Sequence, residues 1–149
     1  MKQFLFFTLF LISISFISAQ SQEPVTWSAS YQKMSGGEGE IVIIGTIQKG
    51  WHTYSQRPTD AGPIPTSFSF TPSGDYSLMG NTRESGAKEE FVPAFEARIY
   101  VFHDKAEFRQ KIAVKNKKPF TLNLTLEYMS CNDMMCLPPK TENLKVQVQ

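Results

Sequence analysis

The chain has 149 residues, of which 41% are hydrophobic and 19% charged, and its 15 basic and 14 acidic side chains nearly cancel. This balance argues against nucleic acid as a partner, and the one short basic run, residues 115–118, is typical of a solvated turn. Only two cysteines are present, which excludes a disulfide-rich scaffold.

The first segment predicts a secretory signal peptide. Lys2 supplies a positive charge, residues 4–17 form an apolar run, and Ser18 and Ala19 are small residues at a cleavage site. The run falls short of the ~20 residues that span a bilayer. We therefore expect residues 1–19 to be removed and residues 20–149 to form one monomeric domain that does not insert into the membrane.

The rest of the chain predicts strands, because short apolar or alternating runs are separated by turn residues. In chain order the predicted strands are residues 25–31, 41–47, 51–54, 66–70, 76–79, 97–102, 108–114, 120–128 and 144–148. We expect strand 41–47 to be central and to form a hairpin with strand 51–54. The polar stretch 80–90 should bury little, and residues 105–111 are the only candidate for a helix. This pattern predicts an all-β fold, an antiparallel sandwich.

Cys131 and Cys136 lie near the end of the chain with four residues between them. Their sulfurs can meet across a tight loop, but closing such a short loop stabilises the fold by only roughly 2 kcal/mol. In an exported protein the pair is expected to form a disulfide. The spacing leaves a static bridge and a redox-active pair both open, and the short loop favours exchange.

A second interpretation is metal binding. Three thioethers and two thiols gather in one loop, and such ligands suit Cu(I): Met129, Cys131, Met134, Met135 and Cys136. His52 and His103 could join only if the fold brings them near. Alternatively, the methionines cover apolar surface beside the cysteines. A third interpretation is an adhesion or assembly module with a structural disulfide.

Acidic residues could also act on the thiols. Glu89, Glu90 and Asp133, if they lie near the cysteines, would keep the dithiol protonated by like-charge repulsion. The alternative is a solvated polar loop. His52, beside Tyr54 on a predicted strand, is either a pocket residue or a packed histidine.

Several segments together resemble a known family. They are residues 50–55 (GWHTYS), 62–66 (GPIPT), 89–91 (EEF) and, most specifically, 128–139, in which Tyr128 precedes the cysteine loop and two prolines follow it. The chain resembles the N-terminal periplasmic domain of DsbD, the thiol:disulfide interchange protein, over nearly all of its length after the signal peptide.

The resemblance implies an immunoglobulin-like sandwich in the periplasm, with no cofactor. It implies transient mixed disulfides with thioredoxin-like donors and acceptors, in which Cys136 forms the mixed disulfide and Cys131 resolves it. His52 and Tyr54 would be pocket residues. A cap of two acids and a phenylalanine would be Glu89, Glu90 and Phe91, with Phe95 as a competing candidate.

Two departures from the family are visible. The best-known members have one more residue between the cysteines, and the sequence contains neither their multi-helix membrane segment nor their thioredoxin-like C-terminal domain. We therefore expect a free-standing shuttle that separate proteins recharge, or a domain reassigned to another role. If active, it would be a thiol-disulfide oxidoreductase, one component of a protein-disulfide reductase system.

Overall fold

The computed structural model describes residues 23–60 and 62–149. The signal peptide predicted over residues 1–19 lies outside this part of the chain. The strands are β1 (Val25–Lys33), β2 (Glu38–Ile47), β3 (His52–Tyr54), β4 (Ser67–Phe70), β5 (Tyr76–Ser85), β6 (Lys88–Val92), β7 (Ala97–Phe102), β8 (Lys105–Val114), β9 (Phe120–Tyr128), β10 (Ser130–Cys131) and β11 (Lys140–Val148). Two short 3-10 turns, Ser35–Gly37 and Pro93–Phe95, complete the described elements.

All strand pairs are antiparallel, and they form three sheets. The first has the order β1-β2-β8-β5, the second β10-β3-β7-β6, and the third β11-β9-β4. The main core lies between the first and third sheets, where alternate residues of their strands are buried together. The second sheet carries a smaller cluster of its own, which includes Cys131.

Alternation along the strands explains how the sandwich forms. On β9, Leu122, Leu124, Leu126 and Tyr128 are all at most 2% exposed, whereas the residues between them face outward. One strand face thus enters the core and the other meets solvent, as antiparallel sheets commonly do. β2 is buried on both faces between β1 and β8, as predicted for a central strand. The all-β prediction is confirmed.

Glycine is required where an aromatic ring lies flat on β2. Gly45 is opposite Trp27 of β1 in the register, and a Cβ at Gly45 would lie 2.8 Å from the Trp27 ring. Trp27 in turn contacts Tyr128 edge to face at 5.2 Å, so this packing joins the first sheet to the third. A side chain at position 45 would displace the indole from the core.

Two sequence-based expectations need correction, and a third is right but incomplete. The prediction of a hairpin between β2 and β3 is wrong. β2 pairs with β1 and β8, whereas β3 pairs with β7 and β10 in another sheet. Residues 105–111 are not helical but begin β8, whose even-numbered residues from Ala106 to Ile112 are buried. The polar stretch 80–90 does bury little, yet most of it belongs to β5 and β6.

Candidate functional site

The two cysteines form a disulfide at the tip of a tight hairpin, with their Cα atoms 4.0 Å apart. The backbone N–H of Leu137 donates to the Ser130 carbonyl at 2.9 Å, and that of Asn132 donates to the Met135 carbonyl at 2.9 Å. The Asn132 side-chain Oδ1 accepts from the backbone N–H groups of Met134 and Met135 at 2.9 and 2.8 Å. This Asx turn is a local interaction that suits asparagine. The predicted loop closure is therefore confirmed.

The hairpin is anchored to the second sheet through its first arm. Ser130 and Cys131 pair with Thr53 and His52 of β3, and the Thr53 hydroxyl donates to the Met129 carbonyl at 2.8 Å. Cys131 is only 1% exposed, whereas Cys136 is partly exposed. The two cysteines therefore differ in exposure, and Cys136 is the more accessible of the pair.

The β6–β7 connection lies against the disulfide. Val92 ends β6, Pro93 opens the 3-10 turn, and Glu96 closes the turn in the left-handed conformation (φ 51°), with its N–H donating to the Pro93 carbonyl at 3.2 Å. Proline at the first helical position has the required φ and lacks a hydrogen that would need a partner. We call residues 92–95 the covering segment.

Phe91 and Phe95, the two cap candidates, occupy different environments. Phe95 packs into the cluster that holds Cys131 and meets Tyr54 edge to face at 6.1 Å. Phe91 is 58% exposed and its register partner is Arg98, on the outer part of the sheet. The structure thus brings Phe95 and not Phe91 to the disulfide.

A cavity of about 170 Å³ separates the covering segment from the hairpin. Its lining residues come from β3, the covering segment and the hairpin: His52, Val92, Pro93, Ala94, Cys131, Asn132 and Asp133. The buried cysteine therefore faces a small space that also contains one imidazole and one carboxylate.

His52 belongs to a chain of polar groups beside this cavity. Its Nε2 lies 3.0 Å from the Tyr54 hydroxyl, and its ring centroid lies 5.7 Å from that of His103. The His103 Nε2 lies 2.9 Å from a Glu90 carboxylate oxygen. Burial is the main cause that lowers the pKa of His52, and His103 lowers it further, while Glu90 and Asp133 partly oppose both. Burial also raises the pKa of the Tyr54 phenol.

The three acids that the sequence singled out, Glu89, Glu90 and Asp133, lie in different environments. Glu90 and Asp133 both influence His52 electrostatically. Glu89 instead pairs with Arg98 at 3.1 Å on an exposed surface. The structure also adds residues that were not among the predicted site residues, namely Thr53, Val92, Pro93 and Ala94.

The methionines that could bind copper differ widely in their exposure to solvent. Met129 packs into the cluster under the disulfide, whereas Met134 is 92% exposed and Met135 is 49% exposed. Across residues 23–60 and 62–149, no group of three or more His, Cys, Asp or Glu side chains is arranged to hold a metal ion. His103 does come close to His52, which the sequence could not show.

Comparison with known families gives a clear match. The family described as "Thiol:disulfide interchange protein DsbD, N-terminal" matches residues 19–148. The chain belongs to the DsbD N-terminal domain family. It is therefore a thiol-disulfide interchange domain, of a family whose N-terminal domain is periplasmic.

No helix within the described ranges is long and apolar enough to cross a membrane. No curated protein sequence matches the chain significantly.

Solved structures support the same fold. The reduced DsbD N-terminal domain of Neisseria meningitidis is 19% identical with a TM-score of 0.56, over 83% of this chain and 84% of that one. The N-terminal periplasmic domain of ScsB from Proteus mirabilis is 18% identical with a TM-score of 0.56, over 81% of this chain and 44% of that one. The third, a complex of the DsbD and PilB N-terminal domains from Neisseria meningitidis, is 18% identical with a TM-score of 0.55, over 80% of each chain. The predicted immunoglobulin-like sandwich of DsbD N-terminal domains is confirmed.

Proposed function

We propose that this chain carries reducing equivalents by thiol-disulfide exchange, from a thioredoxin-like donor to oxidised partner proteins in the periplasm. The observation that carries the proposal is the difference between the two sulfurs. Cys131 is buried and Cys136 is partly exposed at the hairpin tip. A pair that had only to staple the chain would need no such difference, and its short loop is a weak staple.

The exchange proceeds through one mixed disulfide. In the reduced protein the Cys136 thiolate attacks an oxidised partner, so that a Cys136–partner disulfide forms and one partner thiolate leaves. Cys131 then attacks Cys136, which re-forms the internal disulfide and releases the second partner thiolate. Two electrons have moved to the partner. A thioredoxin-like dithiol reverses these steps and recharges the pair.

The covering segment explains how a dithiol survives in an oxidising compartment. Phe95 packs edge to face against Tyr54 beside Cys131 and acts as the cap on the buried side of the disulfide, so that small oxidants reach Cys131 only when the segment moves. Phe95 rests on Tyr54, which lies 3.0 Å from His52, and Glu90 is joined to the same group of residues through His103. We further propose export by the 1–19 signal peptide and function of residues 20–149 as a monomeric domain.

A trapping experiment tests the proposal with a matched pair of variants. Cys131→Ser leaves the accessible sulfur free, so incubation with a thioredoxin variant that keeps only its attacking cysteine, activated as a 2-thiopyridyl disulfide, should accumulate a mixed disulfide that non-reducing electrophoresis detects, with pyridine-2-thione as the leaving group. Cys136→Ser leaves only the buried sulfur and should accumulate little. Equal trapping by both variants would contradict the assigned roles. A wild-type disulfide that reduced thioredoxin does not reduce would contradict the function itself.

A further inference from the structure

His52 and Cys131 face each other across two neighbouring strands. They are direct partners in the antiparallel pairing of β3 with β10, and directly opposed residues project to the same face of a sheet. Both also line the 170 Å³ cavity under the covering segment. A titratable imidazole therefore lies on the same face of the sheet as the buried cysteine and next to it in the register.

Cys131 needs a group that can give or accept a proton whenever the disulfide opens or closes. When a donor thiolate attacks Cys136, the electron pair of the broken S–S bond stays on the Cys131 sulfur as a thiolate. Cys131 is 1% exposed, so bulk water cannot solvate this charge, and a buried unpaired charge is costly. A proton must reach the sulfur from a group within the cavity.

Four charged or titratable groups face His52, and they come from different parts of the fold. Tyr54 comes from the same strand, His103 follows β7, Glu90 comes from β6, and Asp133 comes from the hairpin loop. The phenol of Tyr54 keeps its proton because burial raises its pKa. His103 is already engaged with Glu90. Asp133 also lines the cavity but is exposed to solvent on the hairpin loop, whereas His52 is the register partner of Cys131. His52 is therefore the group beside Cys131 that can both give and accept a proton between about pH 5 and 8.

We propose that His52 is the proton carrier for Cys131 during thiol-disulfide exchange, an inference that rests on the proposed function. In the reducing direction, the His52 imidazolium gives its proton to the departing Cys131 thiolate and becomes neutral. In the oxidising direction, neutral His52 takes the proton from the Cys131 thiol. The resulting thiolate attacks Cys136 and displaces the partner thiolate, so charge and electrons balance in both directions.

The oxidising direction can be followed in two steps with 2,2′-dithiodipyridine. The first release of pyridine-2-thione reports attack by Cys136, and the second reports displacement by Cys131. For wild type the second rate should rise as His52 loses its proton and then level off, over a range of about pH 5 to about pH 9. His52→Gln should slow the second release by at least about 100-fold near neutral pH, a size typical of general base assistance. The first release should change little.

His103→Gln is the matched control beside the cavity. His103 lowers the pKa of His52 and Glu90 raises it, so without the His103 ring the inflection of the second release should move to higher pH while the limiting rate stays the same. An NMR titration of His52 in reduced wild-type protein should give a midpoint that coincides with the kinetic inflection. This measurement needs no variant, so it decides the question even if His52→Gln does not fold.

The outcomes separate this inference from the proposed function. A normal second release in His52→Gln with the wild-type pH profile would overturn the role of His52 and leave the exchange function standing. A wild-type inflection that differs from the NMR midpoint would do the same. Absence of any second release in wild type would overturn both, because Cys131 would then not resolve the mixed disulfide.

Discussion

Removing the Phe95 ring should make the disulfide easier to reach. Phe95 is partly buried and its ring meets Tyr54 edge to face at 6.1 Å. Such an aromatic contact contributes about 0.5–1.5 kcal/mol beyond area burial, and a fully buried Phe→Ala change costs about 3–5 kcal/mol. For a ring that is partly buried at the edge of the fold we expect Phe95→Ala to weaken closure of the covering segment by about 1–2 kcal/mol. The open population then rises about 5- to 30-fold.

The assay is the reduction of the oxidised protein by dithiothreitol, followed by alkylation of the new thiols and mass spectrometry. Phe95→Ala should increase the rate by up to about 5- to 30-fold, since attack that needs the open segment becomes faster while attack at the exposed side of Cys136 does not. Phe91→Ala is the matched control, because Phe91 is 58% exposed and outside the cluster. Equal rates for both variants, or a larger effect at Phe91, would refute the assignment of Phe95 as the cap.

Three further predictions concern stability. Opening the disulfide should lower the free energy of unfolding by only about 2 kcal/mol in urea titrations, because the closed loop is short. Gly45→Ala should cost about 1–3 kcal/mol by forcing Trp27 to move, whereas Gly74→Ala, where a Cβ would meet nothing within 4 Å, should be nearly neutral. Burial raises the pKa of Glu40, but its hydrogen bonds to Arg109 and Arg83 outweigh burial and hold that pKa below the ordinary 4.5. Its contribution to stability is therefore present above pH 4.5 and is lost as the pH falls below it, and Glu40→Gln should flatten acid unfolding there.

The sequence predicted the sandwich and the disulfide for a clear reason. Both depend on local patterns, namely alternation along strands such as β9 and the separation of Cys131 from Cys136. The pairing of β2 was wrong because a continuous apolar strand fits many neighbours, and the turn that follows it passes into another sheet. Local propensity contains no information about that choice.

The candidate site was only partly predictable, because its residues come from separate strands. The order of two acids and a phenylalanine pointed to Phe91, whereas the spacing to the next strand fitted Phe95 about as well. Once β6 is known to be a strand, alternation decides, since Val92 faces the disulfide and Phe91 must then face outward. The proximity of His103 to His52 depends on how β7 pairs with β3, which no sequence spacing reveals.

The hairpin that carries the cysteines has a consequence for the lifetime of any complex with a partner. Its shape is held by the Asn132 side chain and by backbone hydrogen bonds on both sides of the cysteines, none of which needs the S–S bond. The two thiols should therefore stay adjacent after reduction, at a very high effective concentration with respect to each other. In the proposed exchange, resolution by Cys131 is then an intramolecular step that competes well with every other thiol in solution. The wild-type protein should release each partner quickly, so that one carrier can serve several partners in turn.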